Sequence, residues 1–273
     1  MIESLLCYDF IRRALLVGAL VAVCSALLGV SLVLRRYSMI GDGLSHVGFG
    51  AMSVALALNA APLAVSVPVV ILAAFLMLRI SENSAVKGDS IIALISSSSI
   101  AIGVIVTSLT SGLNVDVYNY MFGSIYSISR SDAWLAGGLA LTVAAVWIFF
   151  YDKIFAVTFD ASFASATGTK TGVWNTVTAL LTAVTVVVGM RVIGTLLISS
   201  LIIFPALTSM QLFKSYKAVT VSSACIAIGA FIIGVFASFA FSTPTAATVV
   251  VTNLICFIIF FAAGNLRKKF GRL

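Results

Sequence analysis

Charge is scarce in this 273-residue sequence: only 9% of its residues are Asp, Glu, Lys or Arg. A soluble domain carries about a quarter, so nothing here could coat a water-facing surface of the size 273 residues imply. Cysteine is also sparse. Cys7, Cys24, Cys225 and Cys256 are scattered, mostly inside apolar runs and with no CxxC pairing. They read as small core-filling residues rather than a disulfide framework or a metal cluster. No G-x-x-x-x-G-K-[ST] occurs, and the GTKTG at 168–172 lacks its spacing, so the chain binds no ATP through a P-loop. H-E-x-x-H and the G-x-S-x-G elbow are missing too. Histidine occurs once, as His46.

Apolar residues take the place of charge, at 61%. They come in long unbroken blocks, where a membrane β-barrel would alternate over segments of about ten residues. A helix crosses the hydrocarbon with about 20 apolar residues and satisfies its own backbone there. The expected fold is therefore an all-α polytopic membrane protein with eight or nine transmembrane helices. The candidate spans are 14–34, 40–59, 63–80, 90–111, 133–151, 174–190, 192–213, 218–240 and 245–264. Residues 218–266 hold no charge and are too long for one helix, so a turn is expected at Ser242-Thr243-Pro244-Thr245. Pro62 marks a boundary and Pro205 a kink. The run after Arg12 and Arg13 is long enough to be a span and lacks a small-x-small exit, so no cleavable signal is read.

The net charge of +7 could suggest nucleic acid, but in so apolar a chain it reports orientation instead, and no nucleic-acid partner is expected. Short cytoplasmic loops collect Lys and Arg. Alternate loops hold Arg35/Arg36, Arg79/Lys87, Lys153/Lys170, Lys214/Lys217 and the C-terminal Arg267, Lys268, Lys269 and Arg272. These are read as cytoplasmic, C-terminus included. The opposite loops hold only Arg130 and Arg191. Nine spans would place Arg12 and Arg13 outside, against the rule, unless residues 1–13 lie on the membrane surface. On the outer side, 113–132 is rich in aromatics (Tyr118, Tyr120, Phe122, Tyr126) and suits an interfacial or re-entrant stretch.

Two clusters could do work. Asp42 and His46 lie four apart in an apolar segment, which puts carboxylate and imidazole one turn apart on one helix face. Ionisable groups within a span face a cavity, a partner or a substrate path. One oxygen and one nitrogen suit a borderline divalent metal such as Zn²⁺ or Mn²⁺. Two ligands make half of a transient site that a second copy would complete across a two-fold axis. The alternative is a hydrogen-bonded pair that ties helices together. The longest cytoplasmic loop, 152–174, reads as an amphipathic helical turn with Phe159 and Phe163 on one face, then a Gly/Thr break. It is either a surface loop or a docking knob for a cytoplasmic partner.

GDGLSHVGFGAMSVAL at 41–56 resembles the G-D-A-L-S-H signature of ABC-3 permeases, the membrane subunits of bacterial zinc, manganese and iron importers. Further stretches are similar in the family's order: KGDSIIALISSSSIAIGV (87–104), YMFGSIYSISRSD (120–132), TFDASFASATG (158–168), GTLLISSLIIFPALTSMQL (194–212) and STPTAATVVV (242–251). The chain departs at Gly43, where the family usually has Ala, at 47–50, and in lacking the family's Pro and Gly before Thr248.

The resemblance implies a single permease domain, 1–273, with a type II-like ABC importer fold in the bacterial cytoplasmic membrane. It implies transport of a divalent transition metal, zinc ahead of manganese, at the axis of a permease dimer. The chain itself would be no enzyme and would hold no permanent cofactor. ATP would act on separate P-loop ATPase subunits, and an extracytoplasmic metal-binding protein would deliver the ion. Asp42 and His46 carry over as metal-path residues, and Phe159, Asp160 and Phe163 as ATPase-coupling contacts.

Two rivals differ in class. An ion-coupled secondary transporter working alone would usually show internal repeats, and none stands out. An intramembrane aspartyl protease would pair Asp42 with Asp152, but Asp152 sits beside Lys153 and the motifs come in the wrong order.

Overall fold

A computed structural model describes residues 9–83, 88–110, 123 and 128–270. Cys7, Lys87 and the aromatics Tyr118, Tyr120, Phe122 and Tyr126 lie outside the described residues. Among those described, every regular element is a helix. They are α1 (Asp9–Leu34), α2 (Ile40–Ala57), α3 (Pro62–Asn83), α4 (Gly88–Leu109), α5 (Arg130–Phe149), α6 (Tyr151–Phe159), α7 (Ala161–Ala166), α8 (Thr171–Ile193), α9 (Thr195–Met210), α10 (Tyr216–Phe241) and α11 (Thr245–Phe270).

Length and apolarity single out six as able to cross a membrane: α1, α4, α5, α8, α10 and α11. The expected count of eight or nine adds α2, which carries Asp42 and His46, and two shorter apolar stretches, Pro62–Met77 in α3 and α9. Pro62 opens α3, where a missing N–H costs nothing. Pro205 lies inside α9. The turn between α10 and α11 falls at 242–244, as the uncharged block required.

Burial ranks the helices from inside to outside. In its most apolar stretch α1 is 72% buried, whereas α4 and α11 are 17% buried. Val17, Val21 and Ala22 of α1 share the core with Leu197, Ile198, Leu201 and Ile202 of α9, and Val30 packs with Ala206 of α9 and with Tyr216 and Val219 of α10. The approach of these two helices needs a glycine. A Cβ on Gly29 would lie 2.1 Å from the Ile202 carbonyl oxygen, which is backbone and cannot rotate away. The outer helices instead expose Leu94, Ile105, Ile258 and Ile259, the side chains that lipid accepts.

Helix ends are set locally. Arg36 (φ 61°) closes α1, with Tyr37 N–H donating to the Leu32 carbonyl at 2.9 Å and Arg36 N–H to Val33 at 3.1 Å, the paired bonds of a Schellman turn. Ser129 and Asp132 form a reciprocal capping box at the start of α5. Gly194, at φ 87°, lets α8 run straight into α9.

The charges fall at the two ends of the bundle. Arg13 donates to the Ile128 carbonyl at 3.4 Å, and Arg191 pairs with Asp132 at 3.5 Å. Arg12 pairs with Asp9. The N-terminal end of α1 therefore lies with Arg130 and Arg191, at the lysine-poor end. At the other end Ser31 of α1 meets Tyr216 of α10 at 2.7 Å, and Arg267 reaches the Leu212 carbonyl at 3.4 Å. That end carries Arg35, Arg36, Lys153, Lys170, Lys214, Lys217 and Lys269.

One expectation needs correction. Phe159 and Phe163 do not share one helical turn. The chain breaks at Asp160 (φ −149°, ψ 94°), so Phe159 ends α6 and Phe163 belongs to α7. The reason is capping: the Asp160 carboxylate accepts the Phe163 N–H at 2.9 Å and starts a new helix in place of continuing the old one.

Candidate functional site

Asp42 stands in the first turn of α2 and His46 one turn on, which points both side chains the same way. His46 Nε2 lies 3.5 Å from Asp42 Oδ2. The two are 22% and 39% exposed, while Leu44, Ser45 and Val47 between and beside them are buried. They thus form the polar part of the one open face of an otherwise packed helix segment. Burial on the other faces holds α2 in place, so the pair is presented without freedom to withdraw.

A third group comes from α9. Ser199 Oγ lies 3.4 Å from Asp42 Oδ1, across 157 residues of chain. The same hydroxyl donates to the Thr195 carbonyl at 3.0 Å. Sequence reading gave Ser199 no role. Its signal was a hydroxyl pair, Ser199-Ser200, in the middle of the apolar run 196–207. Among the described residues no group of three His, Cys, Asp or Glu is gathered for a metal ion. Among the described residues the neighbours of Asp42 are His46 and Ser199. Asp152 stands in the first turn of α6.

The 152–174 segment forms a second surface, at the lysine-rich end. Asp160 caps α7 as described, and α7 closes at Gly168 (φ 84°) with Thr169 N–H donating to the Ala164 carbonyl at 2.9 Å. Phe159 and Phe163 are 58% and 64% exposed. Phe159 leans inward, with its ring centroid 4.9 Å from Phe155 and 5.9 Å, edge-on, from Tyr216. Tyr216 also meets Tyr151 and Phe155, at 5.6 and 5.4 Å. Its hydroxyl ends on Ser31 of the central helix. An aromatic stack therefore runs from the exposed segment to the core of the bundle. Sequence reading missed Tyr216, whose only mark was an aromatic between Lys214 and Lys217 at a helix start.

Comparison with known proteins yields full-length likenesses. The chain is 26% identical over 260 residues to the manganese import system permease protein ScaB of Streptococcus gordonii, covering 95% of this chain and 93% of that one. It is 25% identical to the high-affinity zinc uptake system membrane protein ZnuB of Haemophilus influenzae, covering 92% and 97% respectively. Among solved structures, PsaBC from Streptococcus pneumoniae in complex with Fab superposes with a TM-score of 0.84 at 25% identity, over 95% of this chain and 94% of that one. With residues 7–264 matched by the family's sequence profile, the chain belongs to the ABC 3 transport family.

Proposed function

We propose that this chain is the membrane-spanning permease of an ATP-driven importer of a divalent transition metal ion, manganese or zinc. The observation that carries the reading is the Asp42–His46 pair on the one open face of α2. A carboxylate and an imidazole in an apolar segment are costly unless they meet a cation or a partner. The relatives supply the class of cargo, because their names include both a manganese and a zinc system. That spread gives zinc no precedence over manganese.

Two ligands per chain are too few to hold an ion. A second copy across a two-fold axis doubles them to the four of a tetrahedral site. Such a site binds in passing, because release demands that it not bind tightly. The cargo thus moves at the dimer axis. The permease makes and breaks no covalent bonds; ATP is hydrolysed on separate P-loop subunits.

Those subunits dock on Phe159, Asp160 and Phe163, within a coupling segment 152–174 of a single permease domain, 1–273. The lysine-rich end is cytoplasmic by the positive-inside rule, so the C-terminus is cytoplasmic. An extracytoplasmic metal-binding protein approaches the opposite end. In this reading α2, α3 and α9 join the other six helices in the bacterial cytoplasmic membrane.

The test is uptake in a strain lacking its own permease, under chelation and with metals restored singly. Asp42→Ala and His46→Ala are each expected to abolish uptake while the ATPase still co-purifies. Undiminished uptake in both would sink the assignment.

A further inference from the structure

The Ser199 hydroxyl faces two acceptors, the Thr195 carbonyl and Asp42 Oδ1. A serine hydroxyl carries one proton, and at Ser199 the shorter partner is the Thr195 carbonyl, 3.0 Å away. The same hydroxyl reaches Asp42 Oδ1 at 3.4 Å, longer than an ordinary O–H···O bond, so this contact is weak and leaves the hydroxyl's lone pairs open to a cation beside the carboxylate.

The spacing fits a cation. Donors on one ion at bond lengths of about 2.0–2.2 Å, subtending tetrahedral or octahedral angles, lie about 2.8–3.6 Å apart. Ser199 Oγ lies 3.4 Å from Asp42 Oδ1 and His46 Nε2 lies 3.5 Å from Asp42 Oδ2, so a donor at that spacing stands beside each oxygen of the carboxylate. Neither donor helix is free to drift. Leu197, Ile198, Leu201 and Ile202 around Ser199 are buried. Ser200, the neighbouring hydroxyl, is turned back on the Leu197 carbonyl at 2.9 Å, so of the two serines only Ser199 faces the pair.

We infer that Ser199 is a third ligand of the transported ion in each permease copy, supplying a hydroxyl oxygen beside the Asp42 carboxylate and the His46 imidazole. This deepens the proposed function and rests on its reading of Asp42 and His46. It also assigns a selectivity role. Two copies with two donors each offer four ligands, the number tetrahedral zinc requires. Adding Ser199 makes six, predominantly oxygen, which suits manganese. The hydroxyl therefore favours manganese over zinc, and α9 joins α2 in holding the ion.

The experiment measures uptake of manganese and of zinc, separately, by the complete permease–ATPase complex in proteoliposomes. Ser199→Ala is expected to raise the KM for manganese about tenfold, with Vmax kept and the KM for zinc moved far less. Ser199→Cys, nearly isosteric, is expected to reverse the preference by lowering the KM for zinc, since thiolate is a good zinc ligand. Ser199→Thr keeps the hydroxyl and should keep the manganese KM. Unchanged KM values in the Ala and Cys variants overturn the inference, as does an equal rise for both metals that Thr fails to rescue. So does a wild-type complex that carries zinc alone. Asp42→Ala separates the two levels: if it abolishes uptake while Ser199→Ala transports normally, only the role of Ser199 is lost. If Asp42→Ala transports normally, the underlying site is lost.

Discussion

Replacing Asp160 by alanine removes the side chain that caps α7. That helix has six residues, Ala161–Ala166, far below the roughly 12–15 at which an isolated helix becomes even marginal in water. It is held by buried Ala164, by the turn at Gly168, and by the Asp160 carboxylate on the Phe163 N–H at 2.9 Å. An N-cap aspartate is worth about 1 kcal/mol, and asparagine serves nearly as well. At about 1.4 kcal/mol per factor of ten, its loss raises the unfolded share of α7 about fivefold. Hydrogen–deuterium exchange of the 160–168 segment in the assembled complex reads this directly. Asp160→Ala should speed exchange about fivefold and lower metal-stimulated ATP hydrolysis, because Phe163 is no longer presented in one orientation. Asp160→Asn should leave both near wild type. If Asn is as damaging as Ala, the carboxylate's charge rather than its capping is what the ATPase reads, and the argument from α7 fails.

Gly29→Ala should destabilise the purified chain by about 1–3 kcal/mol, since its Cβ would meet the Ile202 carbonyl oxygen at 2.1 Å. A thermal melt in detergent should show the loss, and an unchanged melt would mean that α1 and α9 do not pack this closely. Tyr216→Phe removes the hydroxyl that meets Ser31 at 2.7 Å and leaves buried Ser31 unpaired, at a cost of about 1–3 kcal/mol. If the aromatic stack also transmits motion, the variant should hydrolyse ATP with weaker dependence on metal, and full metal stimulation would argue against that transmission.

Features that depend on nearby residues were legible in the sequence. Apolar runs located the helices, because burying or lipid-exposing a span needs no knowledge of its neighbours. The uncharged block 218–266 announced its own turn. The four-residue spacing of Asp42 and His46 put them on one face, and the structure keeps them 3.5 Å apart. Lysines and arginines sorted into loops that the fold gathers at one end. Arg12 and Arg13 stay the exception to that sorting, since Arg13 ties to Ile128 at the lysine-poor end. What escaped depends on distant pairing. Ser199 reaches Asp42 across 157 residues, and no spacing rule connects them. Tyr216 joins Ser31 across 185 residues. The break at Asp160 escaped for a different reason: an Asp ahead of a short helix is a readable cap, but the i, i+4 spacing of Phe159 and Phe163 pointed to a continuous turn and outweighed it.

The central claim is that metal passes Asp42 and His46 on energy supplied by a separate ATPase. Uptake of radioactive manganese and zinc into proteoliposomes containing the purified permease and its ATPase subunits tests both halves together. The account predicts uptake of at least one metal that requires ATP inside the assembled complex and vanishes in Asp42→Ala and His46→Ala, although both variants still assemble. Uptake by the permease alone without ATP, or undiminished uptake by both variants, would contradict it.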